Sequence, residues 1–405
     1  MINKTKRRLS YAGRVSAIAL LFAGNIAYAQ DSISMIPEHH SVKPQTVLIG
    51  SWTGPTSNPL AQKTAYPSEG IYRVKMNPDG SLLPLDRIKL ENPSWIVFSK
   101  DHKYLYTTNE SEEGQVTALS FTDDGKLKFI NTVSSQGQHP THAVLTPDGH
   151  FLLAANYAAS RKNGGVIIFP VHKNGKLGDS VQHISLTKGS GAIADRQDTG
   201  HAHSVNITPD GKMLFVADLG ADRVHAYRYN PDNKTPFSAD PSADLTLPAG
   251  SGPRHMTFSP DGKFAYLITE MGANIHVYAV SSQGLKEVQT APLTDSVNEK
   301  DKGGGGLLFS PDGKFLYAAN RQSRNEIIVF PVDKATGKLG AAKSYAAGGI
   351  EPRAFAFDNS GQYMLIANVY SNSVIELYRD ANDGSLTPTG VALSIGTPTD
   401  VKFLP

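Results

Sequence analysis

One pattern recurs along this chain and limits what it can fold into. Six stretches share a single plan: NPSWIVFSKDHKYLYTTN (92–109), HPTHAVLTPDGHFLLAAN (139–156), HAHSVNITPDGKMLFVAD (201–218), GPRHMTFSPDGKFAYLIT (252–269), GGGGLLFSPDGKFLYAAN (303–320) and EPRAFAFDNSGQYMLIAN (351–368). Each opens with a short alternating run, turns through Pro-Asp-Gly or a close variant, and continues into a second apolar run, which is the signature of a β-hairpin. A third strand follows in each unit (VTALSF, GVIIFPV, VHAYRY, IHVYAV, IIVFPV, VIELYR), and a weaker fourth run completes it. Four antiparallel strands per repeat make a propeller blade.

The two ends of the chain complete the count. TPTDVKFLP (397–405) contains only the opening strand of the plan, whereas VLIGSW, GIYRVKM and LLPLDRI, within residues 47–88, lack that strand. Pairing the C-terminal strand with the N-terminal strands gives a seventh blade and removes the two open sheet edges that a linear array would expose. A solenoid would carry a polar cap at each end instead. The expected fold is therefore all-β: a seven-bladed propeller of four-stranded antiparallel blades over residues 45–405. No long helix is expected in it, and the stretches 188–200 and 293–306 read as loops.

The segment before the propeller has the layout of an export signal. Lys4, Lys6, Arg7, Arg8 and Arg14 precede the apolar run Val15–Ala23, and Ala27-Tyr28-Ala29 offers a cleavage site. The apolar run is shorter than the roughly 20 residues that a membrane span requires. Residues 1–29 are thus expected to be a signal peptide and 30–44 a linker, with the mature chain periplasmic or secreted and free of the membrane. Those first 29 residues carry five basic and no acidic side chains, so their loss takes the formal charge from +2 to −3. A mildly acidic chain with dispersed Lys and Arg lacks the basic stripe of a nucleic-acid binder. The absence of cysteine excludes disulfides, thiolate nucleophiles and cysteine-ligated metals. Because a closed ring shields its own edges, a monomer is expected.

A repeat is its own control: positions constant in every blade are scaffold, and positions that vary can carry chemistry. The third residue of the plan reads Ser94, Thr141, His203, Arg254, Gly305, Arg353 and Thr399, followed by Trp95, His142, Ser204, His255, Gly306, Ala354 and Asp400. The residue after the second strand reads Glu110, Tyr157, Leu219, Glu270, Arg321 and Val369. The second strand is antiparallel to the first, so both registers face the same end of the central channel. His203, Arg254, Arg353, Glu270 and Arg321 should therefore converge at one mouth. Asn109, Asn156, Asn320, Asn368 and Asp218 are expected to be turn residues bonding their own backbone. His201-x-His203 puts two imidazoles on one face of an extended segment, but no third metal ligand lies at a definable spacing, so neither a metal nor another cofactor is expected. His142 and His255 line the adjacent register. The run Gly303–Gly306 has no following helix and is expected to permit close backbone approach.

HAHSVNITPDGKMLFVADLGADRVHAY (201–227), GPRHMTFSPDGKFAYLITE (252–270), AANRQSRNEIIVFPVDKATGKLG (318–340) and EPRAFAFDNSGQYMLIAN (351–368) resemble the seven-bladed lactonase family, which includes bacterial phosphogluconolactonases and fungal carboxymuconate-lactonising enzymes. Arg196-Gln197 resembles the R-Q segment that precedes H-x-H in that family. The resemblance implies a metal-independent site made of His203, Arg254, Glu270 and Arg321, with a small lactone or acidic sugar as substrate. His203 or Glu270 would be the base, and Arg353, His201, His255 and His142 would contact substrate. Lactonisation of an unsaturated dicarboxylate and a non-catalytic exported binding propeller are the two other readings open at this point. N-terminal sequencing of the exported protein is expected to begin at Gln30; a mature form that retains Met1 would overturn the signal assignment.

Overall fold

The computed structural model describes residues 43–56, 68–157, 164–186 and 188–405. The expected signal peptide 1–29 and all but the last two residues of the expected linker 30–44 lie outside the described residues. The described chain forms seven antiparallel sheets, six of four strands and one of five. The first sheet runs from Pro398–Phe403 through Gln45–Ser51 and Gly70–Met76 to Leu82–Lys89, with Ile49 opposite Val401 and Val47 opposite Phe403. Both chain ends thus supply one blade, as the half-repeats require. The innermost strands Pro398–Phe403, Pro93–Phe98, Pro140–Leu145, Ala202–Ile207, Pro253–Phe258, Gly304–Phe309 and Pro352–Phe357 contact one another in that cyclic order, which closes the ring. Among the described residues the only helical segments are two single 3-10 turns, Pro241–Ala243 and Glu299–Asp301.

The core is divided into one cluster per blade interface. In the strand Phe264–Thr269, the side chains of Phe264, Tyr266 and Ile268 pack with Leu316, Ile328 and Phe330 of the next blade. Ala265 and Leu267 turn the other way, against Phe215 and Val224 of the preceding blade. The period-2 alternation of a strand therefore feeds two cores at once, and the middle strands are apolar on both faces because each face is covered by a neighbour. The closing interface obeys the same rule: Val47, Ile49, Val401 and Phe403 pack on Tyr363, Leu365 and Val374.

The hairpin between the first and second strands shows why Pro-Asp-Gly recurs. Ser259 Oγ and the Lys263 N–H both donate to Asp261 Oδ1, Ser259 Oγ accepts from the Phe264 N–H, and Gly262 takes φ +71°. That left-handed conformation is one a side chain would strain.

The blade of Ala202–Ile207 differs from the rest at its rim. Its outer strand is broken into Phe237–Ala239 and Leu245–Thr246 by the intervening 3-10 turn. In contrast, the following blade ends in the nine-residue strand Gly284–Pro292.

Closure makes a specific demand on the last strand. Val401→Ala, at a fully buried site, is expected to cost about 2 kcal/mol in chemical denaturation, from lost burial plus the cavity left behind. Removing residues 398–405 should leave Gln45–Ser51 as an unpaired inner edge and shift the protein into aggregates on size-exclusion chromatography.

Candidate active site

Each innermost strand carries a β-bulge, and the bulged position is the first register read from the sequence. Pro253 pairs with Thr269 and His255 with Ile268, so Arg254 has no partner in the ladder. The same slip leaves out Ser94, Thr141, His203, Arg353 and Thr399, and in the sixth blade it sets Gly305 and Gly306 opposite Ala319 alone. A bulge releases one residue from the alternation and re-aims its side chain. The residue just before five of these strands is bent into positive φ: Asn92 (41°), His139 (51°), Gly252 (62°), Glu351 (63°) and Thr397 (38°).

The connections entering four of the inner strands are tied down by Asn residues at the ends of the second strands. Asn109, Asn156, Asn320 and Asn368 donate from Nδ2 to the carbonyls of Glu91, Ser135, Asp301 and Ala347, at 2.6, 2.9, 2.9 and 3.0 Å. The expectation that they bond their own turns is corrected. Their partners lie on the connection arriving from the preceding blade, because the bulge brings that connection alongside the strand end.

Glu270 is the centre of the charged cluster. Its Oε2 accepts from Arg254 Nε at 2.9 Å and lies 3.0 Å from Arg321 Nη2 and 4.0 Å from His203 Nε2, while its Oε1 accepts from Arg196 Nη2 at 2.5 Å. Three guanidinium groups thus share one carboxylate that is 8% exposed. Burial opposes its ionisation, but Arg321, Arg196 and Arg254 outweigh that and hold the carboxyl well below its ordinary range. Burial, followed by repulsion from Arg321, brings Arg254 down to about 9, against the attraction of Glu270, so it stays cationic at neutral pH.

The glycine run orders the arginines. Arg321 Nε and Nη2 donate to the carbonyls of Gly303 and Gly304 (3.2 and 3.0 Å), and Arg254 Nη1 donates to that of Gly305 (2.9 Å). A Cβ on Gly305 would stand 3.1 Å from Arg321 Cδ, and one on Gly304 only 2.1 Å from the Thr269 carbonyl oxygen. The expected close backbone approach is therefore present, and it lets both side chains lie flat on the strand. Arg321 Nη1 also donates to Glu351 Oε1 at 2.7 Å, which leaves Arg321 nearly saturated. Arg254 Nη2, by contrast, bonds no protein group among the described residues.

Arg353 joins a second cluster. Its Nη2 donates to Glu110 Oε2 at 3.0 Å, its guanidinium sits 4.6 Å from the centre of the Trp52 ring, and Trp52 Nε1 donates to the same carboxylate oxygen at 3.1 Å.

The histidines divide. His203 is buried, its Nδ1 has no hydrogen-bond partner among the described residues, and burial followed by Arg254, Arg353 and Arg321 holds it well below the ordinary imidazole value. His255 lies 5.1 Å from the His203 ring and 5.4 Å from His142, which in turn lies 4.3 Å from Trp95. Trp95 also lies 5.2 Å from His255, so Trp95, His142 and His255 form a triangle of rings that meets His203 through His255. His201, expected to touch substrate, is 1% exposed and stacks on Tyr157 at 4.7 Å, with Nδ1 2.8 Å from the Tyr157 carbonyl oxygen and Nε2 3.6 Å from Asp198. It supports Tyr157, since both ring nitrogens already face protein groups.

The sequence registers therefore brought His203, Arg254, Glu270 and Arg321 together correctly. Several members of the two clusters were not expected as site residues. Trp52 is the seventh member of the second register, Glu351 immediately precedes the strand Pro352–Phe357, and Glu110 and Tyr157 stood in the register unassigned. Arg196 lies in a loop with no counterpart in other blades; its one sequence signal was the R-Q pair.

The molecule is thus a closed seven-bladed propeller whose inner strands gather arginines and carboxylates into two clusters. The chain belongs to the family described as lactonase, 7-bladed β-propeller, which matches residues 46–403. A periplasmic gluconolactonase of Pseudomonas aeruginosa has a similar structure, with a TM-score of 0.83 and 34% identity over 90% of this chain and 99% of its own. The 6-phosphogluconolactonase of Formosa agariphila is 34% identical over 73% of this chain and 83% of its own length. That of Bacillus subtilis is 29% identical over 83% and 95%. Neither the lactonising nor the binding-only alternative gains support from these relatives.

The buried imidazoles set an acid limit on the fold. Burial lowers His142 to about 3, and burial and then Arg254 hold His255, like His203, well below 6.5. A group whose folded pKa is depressed takes up its proton first in the unfolded chain. These three therefore leave stability intact above about pH 6.5 and erode it as the pH falls, by up to about 1.4 kcal/mol per pH unit each. Glu270 adds nothing to that window: its contribution is complete above the unfolded carboxylate value near 4.3 and is lost only below it. The melting temperature should fall steadily from pH 7 to pH 5, and the fall should be shallower in His142→Phe. A flat profile would refute the buried neutral histidines.

Proposed function

We propose that the chain hydrolyses an aldonolactone at one mouth of the propeller channel, with Arg254, His203 and Glu270 as catalytic residues and Arg321 and Arg353 as binding and positioning groups. One observation carries this reading. A guanidinium with a free Nη2 and a neutral imidazole both adjoin a carboxylate that other arginines already hold ionised.

Opening a lactone needs a base for the attacking water and positive charge where the carbonyl oxygen becomes an oxyanion. Glu270 is a weak base because three arginines stabilise its anion. His203 takes the proton from water instead. Its low affinity for that proton in the free protein comes from burial and from Arg254, Arg353 and Arg321. An oxyanion forming on Arg254 Nη2 offsets part of that positive charge, so His203 becomes more basic as the transition state forms. Glu270 then faces the imidazolium across the 4.0 Å gap.

Four arginines, Arg196, Arg254, Arg321 and Arg353, meet three carboxylates, Glu110, Glu270 and Glu351, leaving one net positive charge, which falls short of the two that would neutralise a phosphate dianion. Carboxylates accept hydrogen bonds from sugar hydroxyls and repel a phosphate dianion. This favours an unphosphorylated aldonolactone, in line with the gluconolactonase named above, over the phosphorylated lactones named for other relatives. Export to the periplasm fits the same substrate and the same relative.

With glucono-δ-lactone in a pH-indicator assay, Arg254→Ala is expected to lose at least tenfold in kcat/KM, equivalent to about 1.4 kcal/mol of transition-state stabilisation. His203→Gln should lower kcat with little change in KM. Wild-type activity in either variant would remove that residue from the mechanism, and faster turnover of 6-phosphogluconolactone would reverse the substrate preference.

A further inference from the structure

A cavity of about 750 Å3 opens between the blade of Ala202–Ile207 and the blade of Pro253–Phe258. The outer strand of the first of these blades is broken beside it, and the cavity is bounded by Asn274, His276 and Tyr278 of the third strand of the second, Asn274–Ser281, and by Glu287 and Thr290 of its fourth, Gly284–Pro292. The volume lies within the range of small-molecule sites. One wall is apolar, with Ile193, Leu247, Pro248 and Met271, and the other is polar, with His276, Glu287, Thr290, Glu299 and Lys302. On the polar wall, Thr290 Oγ1 donates to Glu287 Oε1 (2.6 Å) and stands 3.1 Å from His276 Nδ1, while Lys302 Nζ lies 2.7 Å from Glu299.

Three segments run directly from this cavity into the charged cluster. Ile193 precedes Arg196 by three residues, Ser251 precedes Arg254 by three, and Met271 follows Glu270. Three extended residues reach at most about 11 Å, a length that two linked sugar rings span. The chemistry also selects the occupant. An apolar wall suits the C–H face of a pyranose, and the carboxylates and hydroxyl opposite suit its hydroxyl groups. Two carboxylates against one lysine, with no arginine, disfavour an anion.

We infer that this cavity is a glycosyl subsite, and that the preferred substrate is a disaccharide aldonolactone whose lactone ring lies at Glu270 while its second, neutral sugar occupies the slot. The inference rests on the lactonase reading above and deepens it. The bond broken is the lactone ester: water adds to the carbonyl carbon, the ring oxygen leaves as a hydroxyl, and the glycosidic link stays intact.

The test compares the lactone of oxidised cellobiose with glucono-δ-lactone on the full mature protein. The disaccharide lactone is expected to show a kcat/KM at least tenfold higher. Ala249→Trp, at an exposed position on the slot wall, should abolish that advantage and leave glucono-δ-lactone turnover unchanged; Glu287→Ala should reduce the advantage severalfold. Equal rates for the two lactones in the wild type, or a preference that survives Ala249→Trp, would overturn the subsite. If neither lactone is opened, the lactonase reading fails, and calorimetric titration with cellobionic acid then decides the slot alone. Binding lost in Ala249→Trp supports it, and absence of binding to the wild type refutes it.

Discussion

The pairing of the last strand with the first is the constraint on which the rest of this molecule depends. Ile49 opposite Val401 joins residues far apart in sequence, and through that join the seven blade interfaces become a cycle in which every blade is packed on both faces. Without it the terminal sheets would expose apolar faces and unpaired backbone. Closure also determines which side chains meet. Trp52 follows the N-terminal strand and Thr397 precedes the C-terminal one, and the Thr397 hydroxyl donates to the Trp52 carbonyl at 2.6 Å. The indole under Arg353 is thereby fixed by the same join that holds the ring.

Within the ring, the bulge separates the demands of folding from those of chemistry. A regular inner strand would commit every second side chain to an interface core, leaving little room for variation. Because one residue per strand is left out of the ladder, Ser94, Thr141, His203, Arg254, Gly305, Arg353 and Thr399 can differ without disturbing the packing on either side. The Asn at the end of four of the second strands holds the incoming connection in place. Scaffold and site are adjacent in sequence yet nearly independent in energy.

This arrangement explains what could be read from the sequence. His203, Arg254, Glu270 and Arg321 were legible because aligned repeats expose the positions that vary, and the topology of a hairpin brings two such positions to one end. The bulges themselves were not legible, since a single slipped residue leaves the alternation of apolar positions intact on either side. Nor could the Asn side chains be assigned, because their acceptors sit 18 to 21 residues upstream on a connection whose path depends on the bulge. Arg196 has no equivalent in the other blades, so comparison of repeats was silent about it. Glu351 and Trp52 stood in positions that the same comparison would have reached, had the residue before each inner strand and the N-terminal half-unit been included.

The cluster around Glu270 is held in a state that favours change in one direction. A lone buried carboxylate would protonate, and a lone buried guanidinium would be costly; together they are stable because the glycine carbonyls satisfy the remaining N–H groups of Arg321 and one of Arg254. Among the buried members of the cluster, Arg254 keeps its Nη2 and His203 its Nδ1 without a protein partner among the described residues. Negative charge that develops beside that Nη2 meets donors already oriented, with no reorganisation required. In the proposed mechanism the same charge lessens the repulsion that keeps His203 neutral, so binding of the oxyanion and uptake of the proton would reinforce each other. A neutral lactone gains little from either effect before its carbonyl is attacked, and this difference between ground state and transition state is the source of catalysis in such a site.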